Sequence, residues 1–188
     1  QGERPIYAWQ IFQLAYFFNI DIGDFFQGIT FCNKKDKPQV LIKDVLKKPQ
    51  VLVIEDDPSD VYILKKALDF CKLKVDLHCF SSVEEAKQFL HNKNDSSQSQ
   101  IDLILVDINL PGASGIEFIR VMRKNQKFSQ TPIIVITNDN SRKTLDIATQ
   151  VGATSYIVKT HKPDEMVKTI SQVFMYWCQT TYLSTRVE

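Results

Sequence analysis

The chain has 188 residues, 44% of them hydrophobic and 24% charged, which is globular usage and excludes a wholly disordered protein. Lys and Arg number 23 against 22 Asp and Glu, a net charge of +1, so no global basic surplus holds nucleic acid. The longest uncharged stretch, Pro5 to Ile20, is interrupted by Gln10, Gln13 and Asn19 and falls short of the roughly 20 apolar residues of a membrane span.

Residues 1–28 are aromatic-rich and nearly free of Lys. Ile11, Leu14, Ala15 and Phe18 fall at helical spacing, Asn19 follows as a C′ residue, and Asp21 opens a second segment with Ile22, Phe25 and Phe26. The expectation is a small helical hairpin. Residues 29–49 carry Lys34, Lys35, Lys37, Lys43, Lys47 and Lys48 with Pro38 and Pro49, and read as a linker. No signal peptide is expected from the Gln1-Gly2-Glu3-Arg4 start. Cys32, Cys71, Cys79 and Cys178 have no CxxC or zinc spacing and read as reduced, buried, cytoplasmic thiols.

From Gln50 to about residue 180 short apolar runs alternate with amphipathic segments. The runs are Val51–Ile54, Val75–Phe80, Ile101–Val106, Ile133–Ile136 and Tyr156–Val158, several of them continuous and β-branched, as strands buried on both faces are. Helices are predicted at Ser59–Phe70, from Ser82 with Glu85 completing a capping box, after Gly115, over Ser141–Val151 with Gly152 as C′ glycine, and from Pro163. Strands alternating with helices imply an α/β fold, a parallel sheet with right-handed crossovers.

Ligands of an open parallel sheet bind outside the carboxyl ends of its strands. Glu55, Asp56 and Asp57 follow the first strand, Asp107 and Asn109 the third, Thr137 the fourth and Lys159 the fifth. A phosphate-cradling loop needs Gly or hydroxyl residues after the first strand, and carboxylates there repel phosphate unless a cation intervenes. Any one such acid is as readily a solvated loop residue, but complementary chemistry at four strand ends is not. The set fits phosphoryl transfer to a carboxylate. Asp107 is the expected nucleophile. Mg²⁺ is the expected cofactor, with Asp56 and Asp107 as direct ligands, Glu55 bridging through water and the Asn109 carbonyl as a neutral ligand. Lys159 supplies a second positive charge, and the Thr137 hydroxyl a hydrogen bond to a phosphoryl oxygen.

The segments VLVIEDDPSD, LILVDINLPGASGIEFI, IIVITN and SYIVK resemble the receiver domain of two-component response regulators. The resemblance implies a flavodoxin-like, doubly wound five-stranded parallel sheet in the order 2-1-3-4-5. It also implies a sensor histidine kinase that phosphorylates Asp107 with Mg²⁺, after which Thr137 moves toward the phosphate and Tyr156 swings inward. Such a domain is a phospho-acceptor rather than an enzyme. The polar loop before the third strand, KNQKFSQTP and FMYWC are most similar to small phytochrome-linked regulators. Receivers usually follow the lysine with a cis proline; here Thr160 follows Lys159, and a cis bond to Thr costs about 3 kcal/mol, so a trans bond is expected.

Residues 1–28 resemble the last two helices of a repressor-type helix-turn-helix domain without its reading helix, so DNA is a partner only through a more complete N-terminal domain. An aromatic hairpin docked on the receiver or on a second subunit fits the same residues. A homodimer is expected from the last helix, where Met175, Tyr176 and Cys178 are read as lying off the stripe of Met166, Ile170 and Phe174. The alternative is an unphosphorylated pseudo-receiver scaffold acting by dimerisation. Small-molecule aspartyl-phosphate hydrolases need a second Asp at position 109, which is Asn.

Overall fold

A computed structural model describes residues 48–92 and 100–180. The expected N-terminal helical piece, and the linker apart from Lys48 and Pro49, lie outside the described residues.

Five strands alternate with five helices: β1 Gln50–Ile54, α1 Pro58–Cys71, β2 Asp76–Phe80, α2 Val83–Asn92, β3 Leu103–Val106, α3 Gly115–Lys124, β4 Ile133–Thr137, α4 Arg142–Gln150, β5 Ser155–Val158 and α5 Pro163–Phe174. Every pairing is parallel and the order is β2-β1-β3-β4-β5. This is the flavodoxin-like topology expected.

The uninterrupted apolar runs of β1, β3 and β4 follow from covering both faces of the sheet. Side chains alternate across a strand, so Leu52, Ile54, Ile104, Val106, Ile133 and Val135 join one core with residues of α2, α3 and α4. Val51, Val53, Leu103, Leu105, Ile134 and Ile136 join a second core with residues of α1 and α5. The edge strands β2 and β5 are only partly buried. Two expected strands are shorter than their apolar runs. Val75 precedes β2, and Ile101 and Asp102 precede β3, although Ile101 is buried in the first core.

Helix starts follow local chemistry. Asp57 caps α1 by accepting from the Ser59 N–H at 2.8 Å, and Pro58 occupies the first turn. Ser82 accepts from the Glu85 N–H at 3.3 Å, but the Glu85 carboxylate reaches the Ser81 N–H at 3.0 Å rather than that of Ser82, so the capping box closes one residue early. Ser141 caps α4, and Gly152 follows it at φ +100, a left-handed conformation that suits glycine.

After Phe174 the chain continues as a π-helical segment, Met175–Thr180. Cys178 does not fall off the inner stripe as expected. It lies four residues after the fully buried Phe174, hence on the same face, and is itself 4% exposed. Burial pushes its thiol up to about 12. Cys71, Cys79 and Cys178 form no disulfide, and of the burial expected for the thiols only that of Cys178 is complete, because Cys71 at the end of α1 and Cys79 on the edge strand β2 are half-buried. Among the described residues no helix is long and apolar enough to cross a membrane.

Candidate functional site

The strand register aligns the site. Ile54 pairs with Val106, and Thr137 pairs with Val158. Glu55, Asp107, Thr137 and Lys159 therefore emerge along one carboxyl edge of the sheet. The backbone stays bonded past the strand ends: Asp107 N–H donates to Ile54 O at 3.0 Å, and Lys159 N–H donates to Thr137 O at 2.8 Å.

Gly115 sets the loop after β3. A Cβ there would lie 2.2 Å from the Asp107 carbonyl oxygen, so only glycine lets the start of α3 rest on the backbone that carries Asp107. Ser114 caps that helix by accepting from the Ile116 N–H at 3.2 Å.

Asp107 is 5% exposed. Its Oδ1 accepts from the Asn109 N–H at 2.8 Å, and its Oδ2 accepts from Lys159 Nζ at 2.6 Å. The same ammonium donates to Glu55 Oε2 at 2.8 Å and to Asp60 Oδ2 at 2.6 Å. Lys159, Glu55 and Asp60 border a small pocket together with Ile63, Leu64, Ile136, Met166 and Ile170. Burial by itself would push the Lys159 pKa down, but the hydrogen bonds to Asp107, Asp60 and Glu55 outweigh it and hold the group well above the ordinary lysine range. Burial pushes the Glu55 carboxyl up, and its hydrogen bond to Lys159 offsets this only in part. Among the described residues no peptide bond is cis, so Lys159–Thr160 is trans and still delivers the ammonium to Asp107.

Asp56 is exposed, and no side-chain hydrogen bond ties it to a described residue. Thr137 is fully buried, and its hydroxyl oxygen accepts from Asn109 Nδ2 at 3.3 Å and from the Asp139 N–H at 3.0 Å. Asp139 turns away to the start of α4, where it accepts from the Ser141 N–H at 2.8 Å and the Thr144 hydroxyl at 2.6 Å. The Thr144 bond, with those of Ser141, holds its pKa below the ordinary aspartate value. Tyr156 is 46% exposed on β5, outside this cluster.

The structure thus brings Glu55, Asp107, Asn109, Thr137 and Lys159 together through hydrogen bonds of their own atoms, and leaves Asp56 open at the edge and Tyr156 on the surface. Asp60 was not anticipated. It lies in the first turn of α1, where an acid is ordinarily explained by the helix dipole, and only the reach of Lys159 reveals its second role. Among the described residues no three His, Cys, Asp or Glu side chains gather as a metal cage. The oxygen donors that are present still suit Mg²⁺, which takes one or two carboxylates and keeps its waters.

The doubly wound sheet in the order 2-1-3-4-5 is a flavodoxin-like fold of the CheY type. The chain belongs to the response regulator receiver domain family, whose model matches residues 51–171. It is 33% identical over 135 residues to the autoinducer 2 sensor kinase/phosphatase LuxQ of Vibrio parahaemolyticus, covering 71% of this chain and 14% of the kinase. It is 22% identical over 134 residues to response regulator Rcp1 of Synechocystis, covering 71% of this chain and 91% of Rcp1. The fold is similar to the phosphorylated cyanobacterial phytochrome response regulator RcpA, with a TM-score of 0.65 at 19% identity over 71% of this chain and 96% of that one. The chain spans less than half the length of several curated relatives it matches, as the 14% of LuxQ shows.

Proposed function

We propose that this receiver accepts a phosphoryl group on Asp107 from a sensor histidine kinase in cytoplasmic phosphorelay signalling, and passes the change on through protein–protein contacts, including a second copy of the chain. The observation that carries the reading is the buried Asp107 carboxylate, fixed through Oδ1 by the Asn109 N–H and through Oδ2 by Lys159. The likeness to part of a sensor kinase/phosphatase supports a histidine-kinase donor.

In the transfer, an Asp107 oxygen forms a bond to phosphorus as the phosphorus–nitrogen bond of a phosphohistidine breaks, the electron pair leaving with the imidazole nitrogen. A carboxylate nucleophile carries no proton to remove, so no general base is needed. Lys159 Nζ, 2.6 Å from Asp107 Oδ2, offers a fixed positive charge to the incoming oxygens. The Thr137 hydroxyl, held by Asn109 and Asp139, is the group assigned to sense the phosphoryl oxygen, and Tyr156 the aromatic that follows it inward. Asp56 and Asp107 would hold Mg²⁺, with the Asn109 carbonyl and a water-bridged Glu55. When bound, the ion supplies positive charge that lets two anions meet.

Incubation with acetyl phosphate and Mg²⁺ tests the reading by mass spectrometry. Wild type should gain one phosphoryl group and Asp107→Asn none; equal labelling of the variant refutes the assignment.

A further inference from the structure

Lys159 has three N–H bonds and meets three carboxylates, Glu55 at 2.8 Å, Asp107 at 2.6 Å and Asp60 at 2.6 Å. They differ in kind. Glu55 and Asp107 follow β1 and β3 and have side chains only 4% and 6% exposed. Asp60 comes from the first turn of α1 and is 28% exposed. Under the proposed reading Asp107 becomes an acyl phosphate, its carboxylate charge replaced by that of the phosphoryl group, and Glu55 is drawn on by a cation. Asp60 stands outside both roles. Thr160 replaces a rigid proline, and its hydroxyl only accepts from the Lys162 N–H at 3.3 Å.

We infer that Asp60 is a positioning residue for Lys159, holding the ammonium at the site from the α1 side while Asp107 changes charge. The function of the held ammonium rests on the acceptor role of Asp107. The tether itself does not. Asp60 thereby links α1 mechanically to the reacting edge of the sheet.

A double-mutant cycle in the full chain tests this. Thermal unfolding without Mg²⁺ is measured for wild type, Asp60→Asn, Lys159→Met and the double variant. With Lys159 present, Asp60→Asn removes an ion pair, and the midpoint should fall. With Lys159 gone, the same substitution removes one of several mutually repelling carboxylates, and the midpoint should rise. A shift of the same sign and size in both backgrounds overturns the tether. Acetyl phosphate labelling with Mg²⁺ supplies the second reading. Asp60→Asn should slow labelling about tenfold, the order of effect of an orienting partner, and should add no loss to Lys159→Met. An equal loss in both backgrounds also overturns the inference. Failure of wild type to label at Asp107 refutes the acceptor reading instead, and the unfolding cycle still decides Asp60.

Discussion

Asn109 and Thr137 are joined side chain to side chain, with Asn109 Nδ2 donating to Thr137 Oγ1 at 3.3 Å. The bond ties the loop after β3 to the end of β4, the two segments that flank the proposed acceptor. The Asp139 N–H donates to the same hydroxyl at 3.0 Å. Thr137 is fully buried, whereas Asn109 is exposed.

That asymmetry sets a first prediction. Thr137→Val keeps the volume but leaves the Asp139 N–H and the Asn109 amide without their acceptor, and should cost about 1–3 kcal/mol in urea unfolding. Asn109→Ala leaves the buried Thr137 hydroxyl still bonded to the Asp139 N–H and should cost less. Equal losses would show that the two donors are not held by the hydroxyl.

Arg123 carries a second. Its Nε donates to Gly152 O at 2.7 Å, its Nη1 to Thr131 O at 2.7 Å and Phe128 O at 3.1 Å, and its Nη2 to Thr154 Oγ1 at 3.2 Å. One guanidinium thus joins the end of α3 to the loop before β4 and the turn before β5. Burial pulls its pKa down from the ordinary arginine value, and arginine stays charged regardless. Arg123→Met leaves several carbonyls without a donor and should cost about 2–4 kcal/mol. Arg123→Lys should recover little of it, because an ammonium cannot fan out to separate segments. Urea midpoints of the two variants decide it; full recovery in the lysine variant would contradict the fork.

The pH dependence of stability carries a third. Burial raises the Glu55 pKa in the folded chain. As pH falls through that raised value the folded protein binds a proton that the unfolded chain does not, so stability rises until the ordinary glutamate value of about 4.3 is reached. Asp139 behaves oppositely: its lowered pKa gives stability that is present above the ordinary aspartate value of about 3.9 and is lost below it. Wild type should therefore gain on Glu55→Gln as pH falls toward about 4.3, and lose its advantage over Asp139→Asn only below about 3.9. Unfolding midpoints across pH measure both gaps. A Glu55→Gln gap independent of pH would remove Glu55 from the account.

Much of this was legible in the sequence because it is local or periodic. Continuous apolar runs mark β1, β3 and β4 as doubly covered strands, and the residue after each strand places Glu55, Asp107 and Lys159 on one edge. Contacts between distant elements were not legible. Asp60 meets Lys159 across 99 positions, and nothing in its neighbourhood distinguishes it from an acid that favours a helix N-terminus. Cys178 was misplaced by reading the helix end as apolar all round instead of counting four residues from Phe174. The Glu85 carboxylate chose Ser81 over Ser82, a one-residue shift that a capping pattern does not resolve.

Gly115 and Gly112 make a matched pair for a last prediction. At Gly115 an added Cβ meets backbone: Asp107 O at 2.2 Å and Ile108 Cα at 2.8 Å. Neither atom belongs to a side chain that could rotate away, so Gly115→Ala must push α3 off the loop after β3. Overpacking of this kind costs about 1–3 kcal/mol. The displaced atoms include the carbonyl of Asp107 itself, so the acceptor should move with them and acetyl phosphate labelling should slow. Gly112 lies in the same loop at φ +85 and has nothing within 4 Å of an added Cβ. Gly112→Ala therefore meets only the left-handed backbone cost, about 1 kcal/mol, with no push on Asp107. Urea midpoints and labelling rates of the two variants, compared side by side, separate strain at the acceptor from strain in the loop. Equal labelling by Gly115→Ala and wild type would mean that the seat of α3 does not set the position of Asp107.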